Sequence, residues 1–145
     1  MLHFVDTETT GLDSLYHEMV SIAIITEYGD GRIERWHSKL RPEHIERASP
    51  KALKVNGYNA VDWMDAPSFY EVFNVIQDKL RKGIIVGHNI AFDIAFIREA
   101  YKRIGEDPDA KKVGIARYKI DTITLAHEHL QPMGMWFLGL DSIRK

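Results

Sequence analysis

Short apolar, β-branched runs open the chain, and helical spacing takes over in its second half. Residues 2–6 and 20–28 (VSIAIITEY) read as strands, and Gly29-Asp30-Gly31 between the second run and RIERWHSKL marks a hairpin turn into a third. Residues 42–67 carry no strand period. Pro, Asn and Gly punctuate them, and Ser49-Pro50 suits the start of one short helix. Phe69, Val72, Phe73, Ile76 and Leu80 then fall on one helical stripe over 68–82, with Ser68 as N-cap and Glu71 as its capping-box partner. Gly83 ends that helix. Ile84-Ile85-Val86 is wholly apolar, as a buried strand is, and Gly87-His88-Asn89 turns the chain into a helix over roughly 90–104. After a polar loop, EDPDAKKVGIAR, the run YKID predicts a short strand, and a helix follows from Thr122 to about Leu130. The order βββ, α, β, α, β, α implies an antiparallel hairpin region joined to parallel βαβ units, an α/β fold with a mixed sheet and helices packed on it.

Composition changes this picture in three ways. A length of 145 residues with 45% hydrophobic and 28% charged residues suits one globular core and one domain. No Cys occurs, which excludes disulfides, thiolate zinc sites and cysteine nucleophiles, so any metal must be held by oxygen or imidazole. A net charge of −2 argues against coating nucleic acid by bulk electrostatics, but not against gripping a few phosphates with the help of a bound cation. The N-terminus lacks the basic start and long apolar run of a signal peptide, and no apolar stretch is long enough to span a bilayer. A cytoplasmic protein is expected.

The candidate chemistry lies in carboxylates. Asp6 and Glu8 alternate at the end of the first strand and so project side by side from one face. Two adjacent anions repel, and a bridging cation is what makes such a pair most tolerable; a solvated strand end with two ordinary acids has the same spacing. Asp93 shares a helical face with Phe96, Ile97, Ala100 and Ile104, which turns a first-turn carboxylate toward the sheet. Chemistry in parallel α/β arrangements gathers at the carboxyl ends of strands, where these three acids should meet. A capping acid serving only the helix N-terminus is the competing reading for Asp93.

These residues carry a resemblance. FVDTETTGL resembles the first exonuclease motif of the DnaQ-like (DEDD) 3'-5' exonucleases, and VGHNIAFDIAFI resembles the second, in which the aspartate follows His-Asn and an intervening Phe. ASPKALKVNGY loosely resembles a further family segment, with Asn56 standing where a His is common, and IDTITLAHEHL and LGLDSI look like helices leading toward the third motif. The resemblance covers nearly the whole chain. It implies a ribonuclease H-like fold with a mixed five-stranded sheet flanked by helices. It also implies a metal-dependent exonuclease that releases nucleoside monophosphates from single-stranded DNA or RNA 3' ends. Asp6, Glu8 and Asp93 would be its catalytic metal ligands for Mg²⁺ or Mn²⁺, two ions in a complete site. Asp6 would bridge both ions, Glu8 would serve the ion that activates water, and Asp93 the ion beside the leaving group. Thr9, Leu12, Asn56, Asn89 and Phe92 would line the nucleic acid, and a DNA polymerase or larger nuclease assembly is the implied partner.

The family's third motif, with a general-base His or Tyr and a fourth Asp, is not seen in these residues, so 1–145 is expected to be a single exonuclease domain, incomplete at its C-terminus. A non-catalytic domain of the same fold, docked on a polymerase or another partner, is the alternative. Asp141 is assigned to a helix cap, and His88 belongs to the second motif. His127 and His129 face different ways and belong to the surface; Lys111, Lys112, Arg117 and Lys119 form a solvated loop; and Trp36, Trp63 and Trp136 are assigned to the core.

Overall fold

Alternation along the first strand organises the molecule. In the computed structural model, which describes residues 1–136, 138 and 139, β1 (Leu2–Thr9) alternates between a buried and an accessible face. His3, Val5, Thr7 and Thr9 point inward, whereas Phe4, Asp6 and Glu8 point outward. β2 (Met19–Glu27) pairs antiparallel with β1, placing Val5 opposite Ile24, Thr7 opposite Ile22 and Asp6 opposite Ala23. β3 (Ile33–Lys39) continues the meander antiparallel to β2. β4 (Ile84–Gly87) runs parallel to β1, and β5 (Lys119–Asp121) parallel to β4. The five strands stand in the order β3-β2-β1-β4-β5, a mixed sheet with β1 at its centre.

Four helices accompany the sheet: α1 (Pro50–Asn56), α2 (Phe69–Leu80), α3 (Ile90–Arg103) and α4 (Thr122–Leu130). The helical stripe predicted for α2 supplies Phe73, Ile76 and Leu80 to the core, and both halves of the Ser68/Glu71 capping box form. Ile94, Ile97 and Tyr101 of α3 meet the same core, which closes over Val5, Ile22, Ile24 and Ile85 on the inner face of the sheet. The opposite face stays partly open at Phe4 and Ile25. No helix among the described residues is long and apolar enough to cross a membrane.

Two differences from the sequence reading stand out, the length of β1 and the place of Trp136. β1 runs three residues past the expected end at residue 6, so Asp6 and Glu8 lie within the strand; a register shift between Glu8 and Thr9 marks where its pairing with β2 becomes irregular. The strand persists because Thr7 and Thr9 bury their hydroxyls inward with partners. Trp63 is a core residue whose Nε1 donates to the Val20 carbonyl at 2.7 Å, and Trp36 packs partly against the core, but Trp136 is largely exposed. Asp141 and most of the LGLDSI segment fall outside the described residues. His127 and His129 are exposed, as are Lys111, Lys112, Arg117 and Lys119.

Candidate active site

Asp6 and Glu8 stand on the outward face of β1, and among the described residues neither accepts a hydrogen bond nor joins an ion pair. Both are accessible to water, yet the strand surface crowds them. Desolvation raises the Asp6 carboxyl above the usual range, and it raises Glu8 as well, with the Asp6 charge adding to the effect. A solvated strand end would leave both acids ordinary.

Asp93 lies in the first turn of α3 and is only 5% exposed. Its Oδ1 accepts from the Thr7 backbone N–H at 2.9 Å and from the Thr7 hydroxyl at 2.7 Å, across 86 residues of chain. Burial drives its carboxyl up to about 6. The two Thr7 bonds favour the charged form and pull against burial, while the Asp6 charge pushes further upward. The carboxylate therefore reaches β1 and does more than serve its own helix N-terminus.

The three acids do not close into a ligand cluster. Among the described residues no three His, Asp or Glu side chains stand near enough together to hold an ion, contrary to the convergence expected from their spacing. Thr7 faces α3 and receives Asp93 from inside the sheet, while Asp6 and Glu8, its immediate neighbours, leave from the other side. All three acids thus border one stretch of β1, near enough that the Asp6 charge acts on Asp93. Their chemistry nonetheless suits hard divalent cations: all three donors are carboxylates, two of them are free of protein partners, and mutual repulsion disfavours their charged forms.

The loop after β1 and the start of α1 enclose a cavity of about 470 Å³, with Glu8 and Thr9 at one end and Leu12, His17, Lys51 and Val55 on its walls. Thr9 is buried and donates its hydroxyl to the Gly11 carbonyl at 2.7 Å, which shapes the exit from the strand. Leu12 projects with 85% of its surface exposed, a free apolar side chain in the same cavity as Glu8.

The whole arrangement is matched by the family described as RNase_T, Exonuclease, over residues 4–143. The chain belongs to the exonuclease family. It is 30% identical over 121 residues to a DNA polymerase III PolC-type of Bacillus cereus and 29% identical to that of Staphylococcus aureus; each match covers 83% of this chain but 8% of the polymerase. The exonuclease chain therefore spans only a small part of the curated relatives it resembles. Among solved structures, E. coli Exonuclease I in complex with a dT13 oligonucleotide aligns with TM-score 0.75 at 20% identity, over 92% of this chain and 31% of that one. Exonuclease X in complex with 5' overhanging duplex DNA aligns with TM-score 0.59 at 25% identity, over 88% of this chain and 63% of that one. The fold is ribonuclease H-like, as the resemblance of the motifs implied.

The remaining residues expected at the nucleic acid divide by how they are engaged in this exonuclease domain. Asn56 donates from Nδ2 to the Thr9 carbonyl at 2.9 Å and accepts at Oδ1 from the Tyr58 N–H at 3.1 Å, so both ends of its amide serve backbone. Phe92 packs partly against the core, its ring 4.9 Å from that of Phe96. Asn89 adopts the left-handed conformation (φ 62°) at the N-cap of α3, and its N–H donates to Asp121 Oδ1 at 2.8 Å.

Two groups went unremarked in the sequence. Thr7 sits between the two visible acids and is the seat of the third. Asp121 accepts at the same Oδ1 from the Ile123 N–H at 3.0 Å, so one carboxylate ties the starts of α3 and α4 together. Beside it the Thr122 hydroxyl reaches the Gly87 carbonyl at 3.2 Å and His88 Nδ1 at 3.0 Å. The signal for Thr7 is its place between two acids on a strand. The signal for Asp121 is an Asp at the junction of a predicted strand and helix.

Proposed function

We propose that this chain is a metal-dependent 3'-5' exonuclease domain that hydrolyses the terminal phosphodiester of single-stranded DNA and releases nucleoside monophosphates. The observation that carries the reading is the seating of buried Asp93 on Thr7 of β1, between two outward acids left without protein partners, beside a cavity of about 470 Å³. A structural set of acids would be paired or solvated; here one is buried with a raised pKa and two are crowded together. DNA rather than RNA is favoured by the PolC-type DNA polymerases and by the oligonucleotide-bound Exonuclease I among the similar proteins.

Asp6, Glu8 and Asp93 would hold the divalent ions, Mg²⁺ or Mn²⁺ by their oxygen-donor chemistry. Such ions, when bound, activate water, neutralise charge on the phosphate and assist the departing oxyanion. The chain's own residues do the rest. The Thr7 hydroxyl and N–H hold the Asp93 carboxylate in one orientation and favour its charged form. Thr9 and Leu12, which line the cavity, would orient the terminal nucleotide, with the apolar Leu12 side chain offering a surface to a base. The absence of any membrane-spanning helix among the described residues and the lack of cysteine go with a cytoplasmic setting.

A second reading, a domain of this fold that docks on a polymerase without cutting, is favoured by one observation: no three acids close into an ion site among the described residues. One experiment separates the two. Oligonucleotides labelled at the 5' end, with free or blocked 3' ends, are incubated with the protein and Mn²⁺. A ladder shortening only from free 3' ends is expected. No shortening at all would favour the docking domain, and equal cutting of both substrates would mark an endonuclease.

A further inference from the structure

The loop between β1 and β2, residues 10–18, forms one wall of the cavity through Gly11, Leu12 and His17, and its own bonds are local, the Leu15 N–H donating to Asp13 Oδ1 at 2.9 Å and the Asp13 N–H to His17 Nδ1 at 3.2 Å. Leu15 and Tyr16 are 73% and 51% exposed, so apolar burial does not fix it. At its base the Thr10 N–H donates to the Glu18 carbonyl (2.8 Å) and the Glu18 N–H to the Thr10 hydroxyl (2.9 Å). Inside it the N–H groups of Tyr16 and His17 both converge on the Asp13 carbonyl, at 3.1 and 2.7 Å, making a single tight turn. The carbonyls of that turn point outward with no partner inside the loop. They are met by one side chain from the far end of α3. Arg103 Nη2 donates to the carbonyls of Ser14 (3.1 Å), Leu15 (3.4 Å) and His17 (3.0 Å), and its Nη1 lies 3.9 Å from Glu18 Oε1.

We propose that Arg103 is a positioning residue of the nuclease: it fixes the 10–18 loop and thereby sets the width of the pocket that receives the terminal nucleotide. This rests on the exonuclease reading of that pocket. Three features carry it. First, the His17 carbonyl is under Arg103 while the His17 ring lies against Gly11, so close that a Cβ on Gly11 would stand 2.3 Å from the ring. Holding that carbonyl therefore holds the ring in the cavity wall. Second, the opposite wall is tied where the chain leaves β1 and not to Arg103, by the Ser49 N–H on the Thr10 carbonyl at 2.7 Å and by Asn56 on the Thr9 carbonyl. Of the two walls, only the loop side depends on Arg103. Third, the guanidinium reaches two ways at once, Nη2 to the three carbonyls and Nη1 toward Glu18 Oε1, a fork that a single ammonium lacks. Since α3 carries Asp93 at one end and Arg103 at the other, the helix that seats an acid also positions the substrate wall.

The test uses the full chain with Arg103→Met and Arg103→Lys. The probe is a fluorescein-labelled single-stranded DNA oligonucleotide with a free or blocked 3' end, its binding measured by anisotropy in Ca²⁺ and its shortening in Mn²⁺. Arg103→Met should weaken binding of the free end, and raise KM, by about tenfold, the scale of a lost hydrogen bond to a charged group. The rate at saturating substrate and the Mn²⁺ affinity by calorimetry should stay within about twofold, and Arg103→Lys should restore only part of the loss. Amide exchange should quicken at Tyr16 and His17 and stay unchanged in α3. If Arg103→Met binds the free end as wild type does, or if binding, saturated rate and Mn²⁺ affinity all fall together, the positioning role is overturned. Wild type binding free and blocked ends alike would instead overturn the exonuclease reading of the pocket, whatever the variants do.

Discussion

The two faces of β1 both carry polar groups and treat them in opposite ways. Inward, His3 Nδ1 pairs with the Thr26 hydroxyl at 2.9 Å, Thr7 binds Asp93 and Thr9 binds the Gly11 carbonyl. Outward, Asp6 and Glu8 have no protein partner among the described residues although each is partly desolvated. An unpaired polar group under a core costs far more than one at the surface, and each inward side chain accordingly has at least one bond, with only His3 Nε2 left over. The outward set is released from that duty and keeps its lone pairs for something that arrives from solution. A single strand thus separates the groups that build the protein from the groups available for chemistry, residue by residue.

The strongest way to break this comparison is to neutralise an outward acid. Asp6→Asn should abolish Mn²⁺ binding measured by calorimetry and cost several kcal/mol of transition-state stabilisation, about a thousandfold or more in rate. Removing one of the charges that crowd the strand should leave the metal-free protein as stable or slightly more so. If Asp6→Asn binds Mn²⁺ like wild type, the outward face is no metal site.

Asp93→Asn probes the acid that approaches from inside. The Asp93 carboxyl titrates at about 6 in the fold against an ordinary value of 3.8, so the folded chain holds its proton more tightly than the unfolded one. Below about pH 4 both states are protonated and nothing is lost; as pH rises through about 4 to about 6 the metal-free protein loses up to about 3 kcal/mol on this account. Asparagine cannot titrate. Urea unfolding of the metal-free variant should therefore match wild type near pH 4 and show greater stability near pH 7, and equal stability at both values would mean that burial does not strain this carboxyl. His3, whose pKa burial lowers, acts in the opposite sense as pH falls below its unfolded value, but it is common to both proteins and cancels in the difference.

The smallest effect sharpens the comparison at a single atom. Thr7→Val keeps shape and the backbone N–H but deletes the hydroxyl bond to Asp93, which should cost about 1–3 kcal/mol at neutral pH, as for other buried acceptors that lose a donor. It should also move the Asp93 titration upward, read from the pH dependence of stability. An unchanged unfolding midpoint together with an unchanged profile would assign the seating of Asp93 to the backbone alone.

Much of the fold was legible because its periods are clean. The stripe from Phe69 to Leu80, the apolar triplet Ile84–Val86 and the acidic pair at alternate strand positions each report one local rule, and each element stands where that rule puts it. β1 was read short because Thr7 and Thr9 look like the polar end of a strand; their hydroxyls are paired inside the fold, the first with a partner far along the chain. The segment 42–67 was likewise opaque, since what anchors it is Trp63 Nε1 on the Val20 carbonyl, 43 residues away. In the site, the three acids were visible one at a time. Which face of β1 each would approach was not, because that depends on where α3 packs against the sheet. Asp121 and Arg103 bond backbone groups 32 and 86 to 89 residues distant, and such contacts leave no period to read.

The central place of β1 also sets an order of assembly. Its antiparallel partner β2 follows after a short loop, and β3 follows β2 through a tight turn, so this meander can form as soon as these residues are free to pair. The parallel partner β4 begins 75 residues beyond the last residue of β1, and the Thr7–Asp93 contact closes 86 residues. Such closures cost more chain entropy and come late on the folding route. Asp6 and Glu8 are therefore displayed early, on a half-built sheet, and acquire their third acid only when the two halves dock. A nascent or partly unfolded chain thus displays the acidic pair of β1 before the contact that seats Asp93 exists.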